Sequence, residues 1–401
     1  MTVSGLGIWH LDWVARASPD SGLGSWAIVG EDTLGLASVR GAGLNVPSLA
    51  AVPAGTEVVF VPYAPRSAHV AAVVEELRGL VADWITVAPP SGGTRLVVVT
   101  RGPVLAPAGS NPVHAAAWGV LRTAMAEHPD RFGMVDIDDR PESVETMCRT
   151  VAVEPEFAVR AGQAFVPRLR PTPDPASPAS RPFVGPDRSD GVVLVVGDTA
   201  GAAGVVARYL DTGSTGEGGV RTPAGTPPTG GCGGVVCWEP GCPTELDSLL
   251  RTLSPKAVVV TDTDPALLWR LHESTRDLGP VRLILFSELA GVIGAPGAPE
   301  RAAAAAYADA VVRHRRAEGR PATAVAWGPW GARQGPTRAE RRWLAALGVA
   351  ELSVADGLAA LARAWHLDDA VLVPLAMEPP ARSAARLPAA MRDIAGGVLR
   401  E

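Results

Sequence analysis

Over the first 170 residues the apolar positions follow two patterns. Short runs rich in β-branched and aromatic residues, GIWHLDWV, SWAIVG, EVVFVPY, RLVVVTRG and RFGMVDID, alternate with longer amphipathic stretches, HVAAVVEELRGLVADWI and PVHAAAWGVLRTAMAEH. The runs predict buried strands and the stretches predict helices, since side chains repeat every second residue in a strand and every 3.6 residues in a helix. Strands separated by helices imply βαβ crossovers and a parallel sheet with helices on its faces. AVRAGQAFVPRLRP breaks this pattern and reads as a short hairpin with its turn at Ala161-Gly162-Gln163.

PTPDPASPASRPFVGPDRSD, residues 171 to 190, is too rich in Pro, Ser and Asp for a packed element and predicts a linker. The expected division is therefore a first unit at 1–171, a linker at 172–190 and a second unit at 191–401. The second unit opens with GVVLVVGDTAGAAGVVARYL, a strand, a Gly/Ala loop and a helix. Residues 211 to 234 are nearly devoid of apolar side chains and predict a mobile loop. Further strands are expected at VVCWEPG, KAVVVTD, RLILFS, TAVAWG and AVLVPLAM. Helices are expected at TELDSLLRTL, PALLWRLHESTRDL, ERAAAAAYADAVVRHRRAEG and VADGLAALARAW. The fold class is α/β, with two successive parallel-sheet units.

Composition narrows the function classes. With 401 residues, 47% of them hydrophobic, two units with real cores are possible. A net charge of -6 with both signs interspersed offers no basic patch for nucleic acid or an anionic membrane. No apolar run reaches the ~18 residues needed to span a bilayer, and the N-terminus lacks a signal-peptide pattern, so a cytoplasmic location is expected. Cys232, Cys237 and Cys242 lie five apart, a spacing that fits neither a zinc knuckle nor a disulfide framework, so free thiols are expected and no metal. Lysine occurs once, at Lys256.

Several stretches together resemble the ketoreductase region of modular type I polyketide synthases. In the first half these are the HLDW strand, RLVVVTRG, HAAAWGVLRTAMAEHPDRFGMVDID and AVRAGQAFVPRLRP. In the second they are LHESTRDLGPVRLILFS, GVIGAPG, AYADAVVRHRRAEGRPATAVAWGPWG and GLAALARAWHLDDAVLVPL. The resemblance covers nearly the whole chain in the family's order. It implies an N-terminal structural subdomain, a truncated Rossmann-like fold without a cofactor, followed by a catalytic subdomain of short-chain dehydrogenase type. In active members NADPH reduces the β-keto group of a chain held on an acyl carrier protein.

Such a reduction needs a bound hydride donor, a phenol to protonate the oxygen, a cation to lower that phenol's pKa, and a hydroxyl donor for the alkoxide. Matched to the resemblance, Glu288 stands in the serine position, Arg301 in that of the tyrosine, Ala305 in that of the asparagine and Asp264 in that of the lysine. Tyr307 lies six residues beyond Arg301, about 240° around a helix, and reads as a packing aromatic. Lys256 begins a strand, whereas ligands of parallel sheets sit at the carboxyl ends, so it reads as a surface charge. The nucleotide loop keeps Gly197, Thr199 and Gly201 but carries Asp198, Ala200 and Ala203 where glycines would let amides approach a pyrophosphate. The Gly/Thr/Pro run replaces the strand that supplies arginines for the 2′-phosphate, and Trp238 stands where an adenine-contacting Asp is usual. The region between VVVTD and PALLWRLHE, which steers substrate in the family, is shortened.

These losses predict a reductively silent domain with a structural role, no catalytic or cofactor-binding residues and no cofactor. Its expected partners are neighbouring synthase domains and the acyl carrier protein. Two rival classes are a rearranged enzyme, a reductase or α-carbon epimerase, and a carrier-protein docking module. Glu288, Arg301 and Asp264 could do acid/base work if they converge, but are read as a salt-bridge plug. His272 and His128 are read as satisfied structural histidines, Trp327 and Trp330 as core aromatics, and the arginines of RHRRAEGR as an exposed helix end. The chain starts with Met and holds no carrier-protein, acyltransferase or ketosynthase pattern, so it is expected to be part of a larger polypeptide.

Overall fold

A computed structural model describes residues 6–20, 22–38, 43–87, 93–102, 104–105, 111–172, 191–198, 200–212, 234–240, 243–331, 335–378 and 387–394. The expected linker and mobile loop lie almost wholly outside these residues, as do Thr199, Cys232 and Cys242. The chain divides into two compact units. An N-terminal unit comprises Leu11–Arg170, Leu289–Ala310 and Pro379–Glu401, and a C-terminal unit comprises Met1–His10, Pro171–Glu288 and Val311–Glu378. The main change of unit falls at Pro171, where the sequence pattern changes. Residues 289–310 and 379–401, however, belong with the first half of the chain and 1–10 with the second, for reasons of packing given below.

The N-terminal unit contains the C-terminal part of β1 (Leu6–Arg16), β2 (Trp26–Val29), β3 (Gly43–Val46), β4 (Val58–Pro62), α1 (Val70–Val87), β5 (Arg95–Thr100), α2 (Pro112–Glu127), β6 (Phe132–Ile137), α3 (Pro141–Thr150), β7 (Glu156–Arg160) and β8 (Gln163–Pro171). Its strand order is β1-β8-β7-β6-β5-β4-β2-β3, parallel from β3 through β7. The expected hairpin is β7–β8, with Ala161 at φ 47° and Gly162 at φ 73° forming a two-residue turn of the type that matches strand twist. Strands β5 and β6 are buried almost throughout, which is why they read as continuous apolar runs instead of alternating ones. The polar α3 and the short β3 were not legible from hydrophobic pattern.

Helix α2 is buried along most of its length and capped by Asn111, whose side chain accepts from the backbone N–H of Val113 and His114. Its small residues let other backbone come close. A Cβ on Gly119 would lie 2.2 Å from the Ala302 carbonyl oxygen, and one on Gly294 2.5 Å from that of Arg122. The Arg122 guanidinium donates to Glu156 at 3.0 and 2.6 Å and also to the Gly291 carbonyl, with its carbon 5.5 Å from the Trp118 ring centre. The backbone N–H of Ala295 donates to the Thr123 hydroxyl at 3.0 Å. These contacts hold residues 289–310 in this unit. The tail is held by Glu154, which is buried and receives Arg392 at 2.7 Å and Arg168 at 3.3 Å.

The C-terminal unit contains β9 (Val192–Val196), α4 (Ala202–Thr212), β10 (Gly234–Trp238), α5 (Pro243–Leu253), β11 (Ala257–Val260), α6 (Pro265–Ser274), β12 (Arg282–Glu288), β13 (Ala322–Trp327), α9 (Arg338–Ala346), β14 (Val349–Ala350), α10 (Val354–Ala364) and β15 (Val371–Met377). Strands β10-β9-β11-β12-β13-β15 run parallel in that order, and residues 6–10 of β1 pair antiparallel with β15. That pairing places the first residues of the chain in this unit. VVCWEPG, expected beyond a replaced second strand, pairs directly with β9 and is the outermost strand of this unit among the described residues. The remaining elements are α7 (Ala290–Ile293) in the N-terminal unit and α8 (Pro299–Ala317), whose residues are shared between the two.

Asp136 on β6 is fully buried and accepts from Gly102 N–H at 2.7 Å, from Val104 N–H at 3.4 Å and from Arg160. Burial pushes its carboxyl up to about 6, against the lowering influence of Arg160 and the two amides. A raised native pKa means the folded state holds the proton between about pH 4 and 6, so this group's contribution to stability falls as pH rises through that window. The denaturation midpoint of Asp136→Asn relative to wild type should therefore climb from pH 4 to 6; a constant difference would place the Asp136 pKa in the ordinary range. Gly119→Ala should lower stability by about 1–3 kcal/mol in urea denaturation, because the atoms it meets belong to a helix backbone.

Candidate functional site

In an open parallel sheet the crevice for a ligand lies at the carboxyl ends of the strands, where the strand order reverses. In the C-terminal unit that point is between β9 and β11. Gly197 follows β9 at φ 144°, and a Cβ there would lie 2.1 Å from the Thr261 hydroxyl, just past the end of β11. The Gly197 N–H donates to the Trp238 carbonyl and the Thr261 N–H to that of Val196, so backbone pairing continues past the strand ends.

Asp198, exposed at the start of the loop, turns back onto it. Its Oδ1 accepts from the Ala200 N–H at 2.9 Å, and its carbonyl accepts from the Gly201 N–H at 3.1 Å. The Ala200 amide is thus engaged by the Asp198 carboxylate. Ala203, at the second position of α4, is fully buried in the core with Val195, Val206 and Cys237. Trp238 is buried at the end of β10.

Asp264 is the N-cap of α6: its Oδ1 accepts from the Leu267 N–H at 2.8 Å, ahead of Pro265 at the first helical position. Its short oxygen-bearing side chain has a local structural task. Glu288 ends β12, half-buried and in register with Trp327 of β13. The sheet therefore brings Asp198, Asp264 and Glu288 to one edge of the C-terminal unit. Arg301 and Ala305 lie four apart on the N-terminal part of α8, hence on one face. Ala305 is fully buried beside Gly291, where a Cβ would come within 2.9 Å of it. Tyr307 is buried, as expected of a packing aromatic, and Lys256 is exposed before β11, at the amino edge of the sheet.

Trp327 and Trp330 are buried and stacked, ring centres 4.7 Å apart, against Phe286, and the Trp330 indole N–H donates to the Ser353 carbonyl. The expectation of core aromatics holds. Cys148 and Cys237 are free thiols, and burial pushes them up to about 12 and about 11.

Two sequence expectations fail. Arg315 of RHRRAEGR is fully buried, donating to the Thr275 hydroxyl at 2.8 Å and the Val281 carbonyl at 2.7 Å, because it points inward from α8 while its neighbours face outward. His272 is fully buried but has no hydrogen bond at either ring nitrogen, so it is not a satisfied structural histidine. It lies beside His314 and Glu318, a grouping that separate helices assemble and that sequence spacing did not reveal.

Residues 11–169 match the family described as "Polyketide synthase extender module SpnB, Rossmann fold domain", and residues 260–332 match the KR domain family. Polyketide synthase GfsB of Streptomyces halstedii is 31% identical over 433 residues, covering 93% of this chain and 8% of that protein. Spectinabilin polyketide synthase system protein NorA of Streptomyces orinoci is 31% identical over 448 residues, covering 94% of this chain and 23% of that protein. The chain thus spans less than a quarter of the length of these relatives. The solved structure titled "Structure of A-type Ketoreductases from Modular Polyketide Synthase" aligns at a TM-score of 0.73, with 22% identity and coverage of 98% of this chain and 99% of that one.

The protein is therefore an α/β protein of Rossmann-like units of the ketoreductase kind. Within that class it belongs to the ketoreductase region of modular polyketide synthases. No described helix is long and apolar enough to cross a membrane.

Asp264→Ala should lower stability by about 1 kcal/mol, while Asp264→Asn, which keeps the capping oxygen, should stay within a few tenths of wild type in urea denaturation. Equal losses for both would mean that the charge of Asp264 matters and the cap does not.

Proposed function

We propose that this chain is a reductively silent ketoreductase-like domain, retained for its structural role and leaving the β-keto group of a carrier-bound polyketide unreduced. The observation that carries the reading is the closure of the Asp198 carboxylate on the Ala200 N–H, next to a glycine packed against Thr261. A pyrophosphate entering this loop would displace an internal carboxylate and meet its negative charge. The residue matching points the same way: Glu288, Arg301, Ala305 and Asp264 stand where the family has serine, tyrosine, asparagine and lysine, so those four positions supply no phenol, hydroxyl or ammonium. The partners on this reading are neighbouring synthase domains and the acyl carrier protein.

NADPH titrated into the purified protein should give no saturable fluorescence or calorimetric signal up to millimolar concentration. A carrier-bound β-ketoacyl chain should remain unreduced and keep its α-deuterium at the background exchange rate. Saturable binding with ketone reduction would overturn the proposal in favour of a reductase with a rearranged site, and accelerated α-exchange without binding would replace it with an epimerase.

A further inference from the structure

The C-terminal unit contains one cluster of metal-ligating side chains among its described residues, away from the carboxyl edge of the sheet. His272, in the last turn of α6, and His314 and Glu318, one turn apart at the end of α8, bring three donor atoms within 4.8 Å of one another. The Glu318 N–H bonds the His314 carbonyl, so the helical turn continues and the two side chains share a face.

The separations suit a small transition-metal ion. Bonds of ~2.0–2.2 Å in a tetrahedral zinc site put adjacent donors about 3.3–3.5 Å apart. Here His272 Nε2 lies 3.8 Å from Glu318 Oε2, and His314 Nε2 lies 3.7 Å from Glu318 Oε1. Each pair is too long for a hydrogen bond, and since the two contacts use different oxygens of Glu318, one ion would take the carboxylate through both oxygens or draw the imidazoles inward from a span of up to 4.8 Å. Independent support comes from His272 itself, a fully buried imidazole with neither nitrogen hydrogen-bonded. Buried polar atoms ordinarily have partners, and one without invites a ligand. Trp269 covers both imidazoles, ring centres 4.9 and 5.6 Å away, and limits how they can turn.

Glu318 also accepts from Arg276 at 2.7 Å, with Arg320 at 3.5 Å. A carboxylate has about four lone-pair positions, so it can keep an arginine in the outer shell while ligating through its remaining capacity. Glu273 lies 3.6 Å from His272 Nε2 and adds further negative charge against the positive charge of Arg276, Arg315 and Arg320.

We infer that His272, His314 and Glu318 form a zinc-class divalent metal site that clamps the end of α6 to the end of α8, with water completing the coordination. Nothing in this inference depends on whether the carboxyl edge of the sheet is catalytically silent.

The test is calorimetric titration of the full chain, freed of metal by a chelator, with Zn²⁺ alone, alongside visible absorption on adding Co²⁺. One saturable site, a higher thermal midpoint and a tetrahedral cobalt spectrum are expected. His314→Ala and Glu318→Gln should each weaken Zn²⁺ binding by ~10-fold or more. Both residues reach the surface, so these variants avoid the folding risk of replacing the buried His272. Arg276→Ala should tighten binding by releasing a carboxylate oxygen. Absence of saturable Zn²⁺ binding, or binding indifferent to both His314→Ala and Glu318→Gln, would overturn the site.

Discussion

Arg122 is the constraint on which the N-terminal unit depends. Its guanidinium is buried, and a buried cation must be paired and hydrogen-bonded or it destabilises the fold by several kcal/mol. Glu156 on β7 supplies the charge and the Gly291 carbonyl takes up a further donor. One side chain thereby links helix α2, strand β7 and helix α7 in a single arrangement, with Trp118 covering one side. Because Gly119 and Gly294 bring backbone against backbone in the same region, the arrangement has almost no slack. The segment that follows the last residue of β12 is thus committed to a unit whose other strands come from far earlier in the chain.

The carboxyl edge of the C-terminal sheet shows how a Gly/Ala-rich turn between a strand and a helix satisfies its own backbone. Strand β9 leads through Gly197 and Asp198 towards α4, and Gly197 adopts a backbone conformation that L side chains rarely reach. Asp198 answers Ala200 from within, Ala203 joins the hydrophobic core, and Asp264 serves a helix terminus. Each of these side chains has a local structural task.

Much of the fold was legible because its strands are buried on both faces and its crossover helices are long. RLVVVT and FGMVDI could scarcely be anything but central strands, and Ala161-Gly162 could only be a tight turn. What escaped was set by tertiary contact. Helix α3 is mostly polar, and its few apolar side chains matter only because they meet β6 and β7. The allegiance of residues 289–310 was invisible because it rests on glycines that read as loop signals and act as packing sites. At the candidate site, the capping task of Asp264 and the inward turn of Asp198 are matters of hydrogen-bond direction, which residue order alone does not carry. Arg315 was misjudged because the rotation of a helix about its axis decides whether a charged side chain meets solvent or core, and His272 because whether a second helix contributes hydrogen-bond partners is not visible in spacing.

The stack of Trp327 on Trp330 has a consequence for optical work. Two indoles 4.7 Å apart and inclined by only 19° couple their electronic transitions, as isolated tryptophans do not. Their joint orientation is held by Phe286 and by the Ser353 carbonyl, so circular dichroism from their strong ultraviolet transitions would follow the packing of the C-terminal unit's core. The chain thus has a built-in chromophore pair that registers the packing of this sheet edge without any added label.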